Sequence, residues 1–236
     1  MIRKPVLARV VLVDQVTAVL MERILDRDYT PGEKLNIDAL SREFEVSSSP
    51  IREALTRLST LGLVAFASFT GFSVAPEPSR EWFEQLRDFR ILNEGWAARR
   101  LARSREPAAI ARMRESIEAM EANPPRGQDR DYVGISRADE NFHNAMLEAA
   151  GNEILSQAVK GLHPHLHHAR LFSRIPHDIA PMLDEHRAIY DAIIRGDEDG
   201  AQAAVEVHLQ MSWRRYGGWH SDLPGKSQEE LSGVKG

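Results

Sequence analysis

Between Asp14 and Arg27 the apolar residues Val16, Val19, Leu20 and Ile24 recur at helical spacing, which predicts an amphipathic helix. Asp28-Tyr29-Thr30-Pro31-Gly32 then breaks it, because proline and glycine together do not continue a helix. Asn36 is placed to cap a short second helix whose apolar face is Ile37, Leu40 and Phe44. Within Ser47–Leu61, the residues Ile51, Ala54, Leu55, Leu58 and Leu61 form one stripe, while Ser48, Ser49, Arg52 and Thr56 fall on the other side. One face of this third helix packs, and the other is free to touch a partner. The serines can cap its first N–H groups, Pro50 sits in its first turn, and Gly62 ends it. Leu63–Phe66 and Phe72–Ala75 read as short strands joined by a loop from Ala67 to Gly71, a hairpin of wing length. Pro76 and Pro78 form a stiff linker.

This order of elements suggests a winged helix-turn-helix whose third helix enters the DNA major groove. Everything after Ser79 reads as helix. Ser79 caps a long segment carrying Trp82, Phe83, Leu86, Phe89, Trp96 and Leu101, and Pro107 opens a second segment reaching about Ala122. Asn123–Gly127 is a break. A third helix spans about Asp131–Ala150, a fourth runs from its cap Asn152 to about Phe172, a fifth ends at Gly196 and a sixth ends at Gly217-Gly218. The predicted fold is therefore mainly α. An N-terminal arm (1–13) and a winged helix-turn-helix (14–76) precede an all-helical bundle of about six helices (77–218), and residues 219–236 form a polar tail expected to be disordered.

Composition narrows the chemistry. The chain has 236 residues, 42% hydrophobic and 28% charged, and no cysteine, so any metal must be held by histidine and carboxylate. The apolar run near Arg3, Lys4 and Arg9 is interrupted by charge and lacks a signal-peptide cleavage pattern, and no stretch approaches the roughly 18 apolar residues of a membrane span. A cytoplasmic protein is the expectation. Net charge is −5, and residues 1–78 hold nine Lys/Arg against ten Asp/Glu, a sum of −1. Non-specific affinity for DNA should be modest and depend on a few well-placed cations.

The ordered set YTPGEKL (29–35), the helix Ile37–Phe44, VSSSPIREALTRLSTLGLV (46–64) and Gly71 at the wing tip resembles the GntR family of bacterial transcription regulators. The helical half is similar to the FCD domain of its FadR-type subfamily, and the two resemblances cover roughly residues 10–217. The resemblance implies a homodimer on a pseudo-palindromic operator, and with no stretch apolar enough to span a bilayer no membrane partner is expected. Family members usually read VSRTPVREAL, whereas this chain has Ser48 in place of the first arginine. Arg52 matches the other arginine and is the candidate for direct contact with operator DNA. Ser47 and Ser49 match positions that reach phosphates, and Ser48 and Gly71 complete the DNA-binding set. The alternative for Arg52 is a pair with Glu45 or Glu53.

All nine histidines lie at or beyond His143. Asp139 and His143 stand four apart on one helical face, so one cation can reach both, while His186 and His208 lie on the last two helices. The resemblance implies that these four hold a divalent transition metal, because FCD domains carry an aspartate and a histidine four apart followed by two further histidines. Nitrogen and oxygen ligands without sulfur suit zinc first, with nickel, manganese or iron as alternatives. A small organic acid is the implied effector. Arg90, four before Glu94, is a candidate to grip its carboxylate or to pair with Glu94, and His163 and His167 are candidates to line its pocket. The competing classes are a metal-dependent hydrolase or lyase and a regulator with a purely structural metal. Against catalysis, Glu140 points about 100° away from Asp139 on the same helix and makes a poor general base.

Overall fold

The computed structural model describes residues 7–122, 132–172 and 179–217. Those residues divide into two compact units.

The first unit opens with α1 (Leu7–Leu25), β1 (Lys34–Leu35), α2 (Ile37–Glu43) and α3 (Ser48–Thr60), followed by β2 (Val64–Ala67) and β3 (Gly71–Val74). Helix α1 begins at Leu7, so the arm expected over 1–13 is helical in its second half: Val13 is buried with Val16, Leu20 and Ile24, extending the apolar stripe towards the N-terminus. Asn36 Oδ1 accepts the Ala39 N–H at 3.0 Å, which stops α2 from fraying at its start. Ser47 occupies the N-cap of α3 without a side-chain cap bond, a correction to the capping expected there. Ile51, Ala54, Leu55 and Leu58 are fully buried and join α1, α2 and the sheet in one core with Leu63, Phe72 and Val74.

The sheet has three strands in the order β1-β3-β2, all antiparallel. Strand β1 was not legible in the pattern, being two residues long; it pairs Lys34 with Ser73 and Leu35 with Phe72. In the hairpin, Ala67 pairs with Gly71, so three residues, Ser68-Phe69-Thr70, make the turn. Gly71 takes φ +80°, the left-handed conformation that closes a three-residue hairpin with least strain.

A further helix, α8 (Pro164–Phe172), groups with this first unit. Leu166 packs against the winged-helix core, and a Cβ on Gly62 would stand 3.2 Å from His167 Cε1, so the turn after α3 and helix α8 approach closely. Arg170 is buried. Its Nη1 donates to Pro76 O at 3.2 Å and its Nη2 donates to Ala75 O, fixing the carbonyls beyond β3.

The second unit holds α4 (Arg80–Ser104), α5 (Pro107–Ala122), most of α6 (Tyr132–Ala149), α7 (Glu153–Lys160), α9 (Ala180–Arg195) and α10 (Glu198–Gly217). The expected caps form: Ser79 Oγ accepts from Trp82 N–H and Asn152 Oδ1 from Leu155 N–H, each at 3.1 Å. The single helix expected from Asn152 to Phe172 is two. Gly161 ends α7, and His163 takes φ +46° just before Pro164 opens α8. Helix α4 packs on α10 and α9, and α5 packs on α9. Small residues allow the α4–α10 approach, since a Cβ on Gly95 would meet Gln202 Cγ at 3.2 Å. Phe83, Leu101, Met113, Phe142, Met146, Ile189, Val205 and Leu209 form the apolar interior. The breaks expected at 123–127 and the tail at 219–236 lie outside the described residues.

Candidate metal centre and DNA-reading helix

Three helices of the second unit bring four candidate ligands together. Asp139 and His143 project from one face of α6, His186 from α9 and His208 from α10, and one ligand atom from each lies within 4.8 Å of all the others. His143, His186 and His208 are 1%, 0% and 4% exposed, packed as a ring cluster whose centroids lie 4.5–5.4 Å apart, with Phe142 edge-on to His186. Such burial of three imidazoles is costly unless something satisfies their polar atoms.

The orientation of each ring is set by its Nδ1. For His143 this atom lies 2.7 Å from Glu94 Oε2, for His186 it lies 2.8 Å from Met182 O, and for His208 it lies 2.9 Å from Glu185 Oε2. Each acceptor fixes the tautomer with hydrogen on Nδ1 and turns Nε2 towards the shared centre. There, His186 Nε2 is 2.8 Å and His143 Nε2 3.6 Å from Asp139 Oδ1. Donors bound to one first-row metal at about 2.1 Å stand at most about 4.2 Å apart. The widest pair, within 4.8 Å, therefore closes by about 0.6 Å if its two donors stand opposite each other on the ion, and by about 1.4 Å in a tetrahedral site. Three nitrogens, each oriented from behind, and one carboxylate oxygen fit a divalent transition metal.

Two carboxylates behind the histidines were not assigned to the site from the sequence. Glu94 is fully buried and receives Arg90 Nε at 2.5 Å and Nη2 at 3.3 Å. Burial alone would raise the Glu94 carboxyl, but the Arg90 and His143 charges and hydrogen bonds hold it well below the carboxylate range. Burial also pulls the His143 imidazole down, and the Glu94 charge with hydrogen bonds to Asp139 and Glu94 reverses this, leaving it raised. For His208, burial and then the neighbouring His186 push it down to about 3, so it is neutral and carries a lone pair on Nε2. Glu185 also takes Arg215 in a two-pronged pair, with Nη2 at 2.8 Å, and these partners overcome its burial and lower it to about 2. The Arg90–Glu94 spacing was visible in the sequence; Glu185 stands 23 residues from His208 and left no local signal.

Arg90 therefore spends Nε and Nη2 on Glu94, behind His143. His163, just before α8, and His167, on α8, belong to the first unit, with His167 beside the turn after α3, and neither is one of the four candidate ligands. Burial, then the Arg170 and His163 charges, push the His167 imidazole down to about 4.

In the first unit, Ser47, Ser48, Ser49, Arg52 and Thr56 are exposed along α3, opposite its buried stripe. Glu53 is taken by Arg57 at 2.9 Å, and Arg52 forms no ion pair among the described residues. A polar recognition face on a winged helix, joined in sequence to a helical bundle with a histidine-lined centre, defines a DNA-binding regulator with a ligand-binding domain.

Comparison with known proteins agrees with that class. Residues 12–74 match the description "Bacterial regulatory proteins, gntR family", and residues 85–211, more than half of the chain, match the FCD domain. The chain belongs to the GntR family of bacterial transcription regulators, in its FadR-type architecture with an FCD domain. It is similar to the HTH-type transcriptional regulator LutR of Bacillus subtilis, 28% identical over 79% of this chain and 92% of the relative. It is also similar to the galactonate operon transcriptional repressor of Escherichia coli, 26% identical over 86% and 95%. A solved structure described as a GntR regulator from Rhodococcus sp. RHA1 shares the fold, with TM-score 0.66, 23% identity and coverage of 87% and 97%. These relatives are transcription regulators, and the family is not one of enzymes. No described helix is long and apolar enough to cross a membrane.

Proposed function

We propose that this regulator is a homodimeric repressor whose operator affinity is controlled by a small organic acid bound at a divalent metal. The metal is held by Asp139, His143, His186 and His208. The observation that carries the reading is that all three imidazoles have Nδ1 engaged by a protein acceptor and Nε2 aimed at one point beside Asp139. When bound, such an ion supplies Lewis-acid positions beyond its four protein ligands, which suit a carboxylate with a neighbouring hydroxyl. The name of the Escherichia coli relative points to a sugar acid, which has that chemistry. Glu94 and Glu185 orient His143 and His208, and Arg90 supports Glu94. Arg52 reads base edges in the operator while Ser47, Ser48, Ser49 and Gly71 approach its backbone. Effector control requires that the acid bind the DNA-competent and DNA-incompetent arrangements with different affinity.

The test is metal content by mass spectrometry on protein purified without an affinity tag, for wild type and His186→Ala, followed by operator binding titrated with hydroxy acids. A near-stoichiometric metal lost in the variant, and DNA affinity that falls with one acid only in the metal-loaded protein, support the reading. Metal present with DNA affinity indifferent to every acid assigns it a structural role; no metal in wild type removes the ligand set.

A further inference from the structure

The wing has a surface unlike that of a hairpin built to grip phosphates. From Leu58 to Pro76 the chain carries no charged residue, and this stretch includes β2, the turn and β3. At the tip, Phe69 is fully exposed at 102%, and Phe66 beside it is 57% exposed while its ring lies 4.8 Å from Phe72. Apolar aromatic surface of this size is a cost in water unless a partner covers it. The turn that carries Phe69 is fixed by the Ala67–Gly71 pair and by the Thr70 N–H bond to Ala67 O at 3.2 Å, so the ring is held out on a short rigid arm. Its place in the chain decides the partner. Gly62 and Leu63 alone separate the recognition helix and its C-cap from β2, so the wing follows the recognition helix directly in the chain.

We propose that Phe69 is an apolar wedge for the DNA minor groove beside each half-site, unstacking one base step, with Phe66 covering the adjoining sugars. This rests on the DNA-binding character of the family and adds to it a recognition mode of this chain. A wedge pays for unstacking least at flexible pyrimidine–purine steps, TA or CA/TG. The protein therefore reads such a step by deformability, without a hydrogen bond to it. With few free cations on α3 and none on the wing, apolar contact takes over part of the affinity that phosphate pairing usually supplies.

The experiment selects duplexes from a random library with the full-length wild type, Phe69→Ser and Phe69→Leu. A fluorescent adenine analogue, whose emission rises on unstacking, is then placed at the flanking step of the wild-type site. Because the ring is fully exposed, neither substitution disturbs the fold. Wild type and Phe69→Leu should enrich a pyrimidine–purine step at a fixed distance from the core letters and raise the emission. Phe69→Ser should keep the core letters, lose the flanking step and the emission, and bind about tenfold more weakly. Identical flanks and affinities in all three, or no rise with wild type, overturn the wedge while leaving the recognition helix intact. If wild type enriches no sequence at all, operator recognition fails and the wedge with it.

Discussion

Replacing Glu94 by Gln removes one negative charge from the interior of the helical unit while nearly keeping the volume. The carboxylate is fully buried between Arg90, 2% exposed, and His143 Nδ1 at 2.7 Å. The guanidinium is then left buried without its counter-charge, and breaking a buried pair from one side costs about 3–5 kcal/mol. That is a large share of the roughly 5–15 kcal/mol by which a protein of ordinary stability is folded. A second consequence falls on the metal. The Gln amide oxygen still accepts from His143 but no longer strengthens it as a donor, so affinity should fall about 10- to 100-fold, or about 1.4–2.7 kcal/mol. Urea unfolding of the metal-free protein reads the first effect, and zinc competition against a chromophoric chelator reads the second. The double variant Arg90→Met/Glu94→Gln separates them: it should recover most of the lost stability, having no orphaned charge, yet stay weak for zinc. A Glu94→Gln protein within about 1 kcal/mol of wild type and within about twofold in zinc affinity would refute the reasoning.

Two further predictions concern the first unit. Arg52→Ala should abolish operator preference with an unchanged thermal transition, while the slope of log affinity against log salt, which phosphate contacts set, should change little; fluorescence anisotropy at several salt concentrations reads both, and an unchanged operator affinity would move readout to the wing. His167 is pushed down to about 4, below the 6.5 of an unfolded histidine, so its contribution to stability is complete above pH 6.5 and is lost as pH falls towards 4, where the unfolded chain binds the extra proton first. Full loss amounts to at most about 3 kcal/mol; the difference in urea midpoint between pH 7 and pH 5 should shrink in His167→Gln, and an equal difference in both proteins would exclude the residue.

The local signals along the chain were strong wherever a helix starts beside a small polar side chain. Asn36, Ser79 and Asn152 each cap the helix expected of them, because that bond joins residues three apart and needs nothing else. Ser47 shows where such reading stops: the same residue type at the same position makes no cap bond. The pairing of Asp139 with His143 was likewise legible, since helical pitch alone puts them on one face.

What the sequence by itself determined is the order of elements, the buried stripe of α3 with Arg52 opposite it, and, through the family resemblance, the set of four candidate metal ligands. Each follows from the periodicity of one helix or from ordered motifs. Only the tertiary structure decided that Glu94 and Glu185 stand behind His143 and His208, that Arg90 faces Glu94 from within, and that α8 belongs with the winged helix through Leu166 and Arg170. Those relations join residues tens of positions apart. They depend on how closely α4, α9 and α10 can approach at Gly95 and its neighbours, and on the chain breaking at Gly161 and His163, which packing settles and periodicity does not encode.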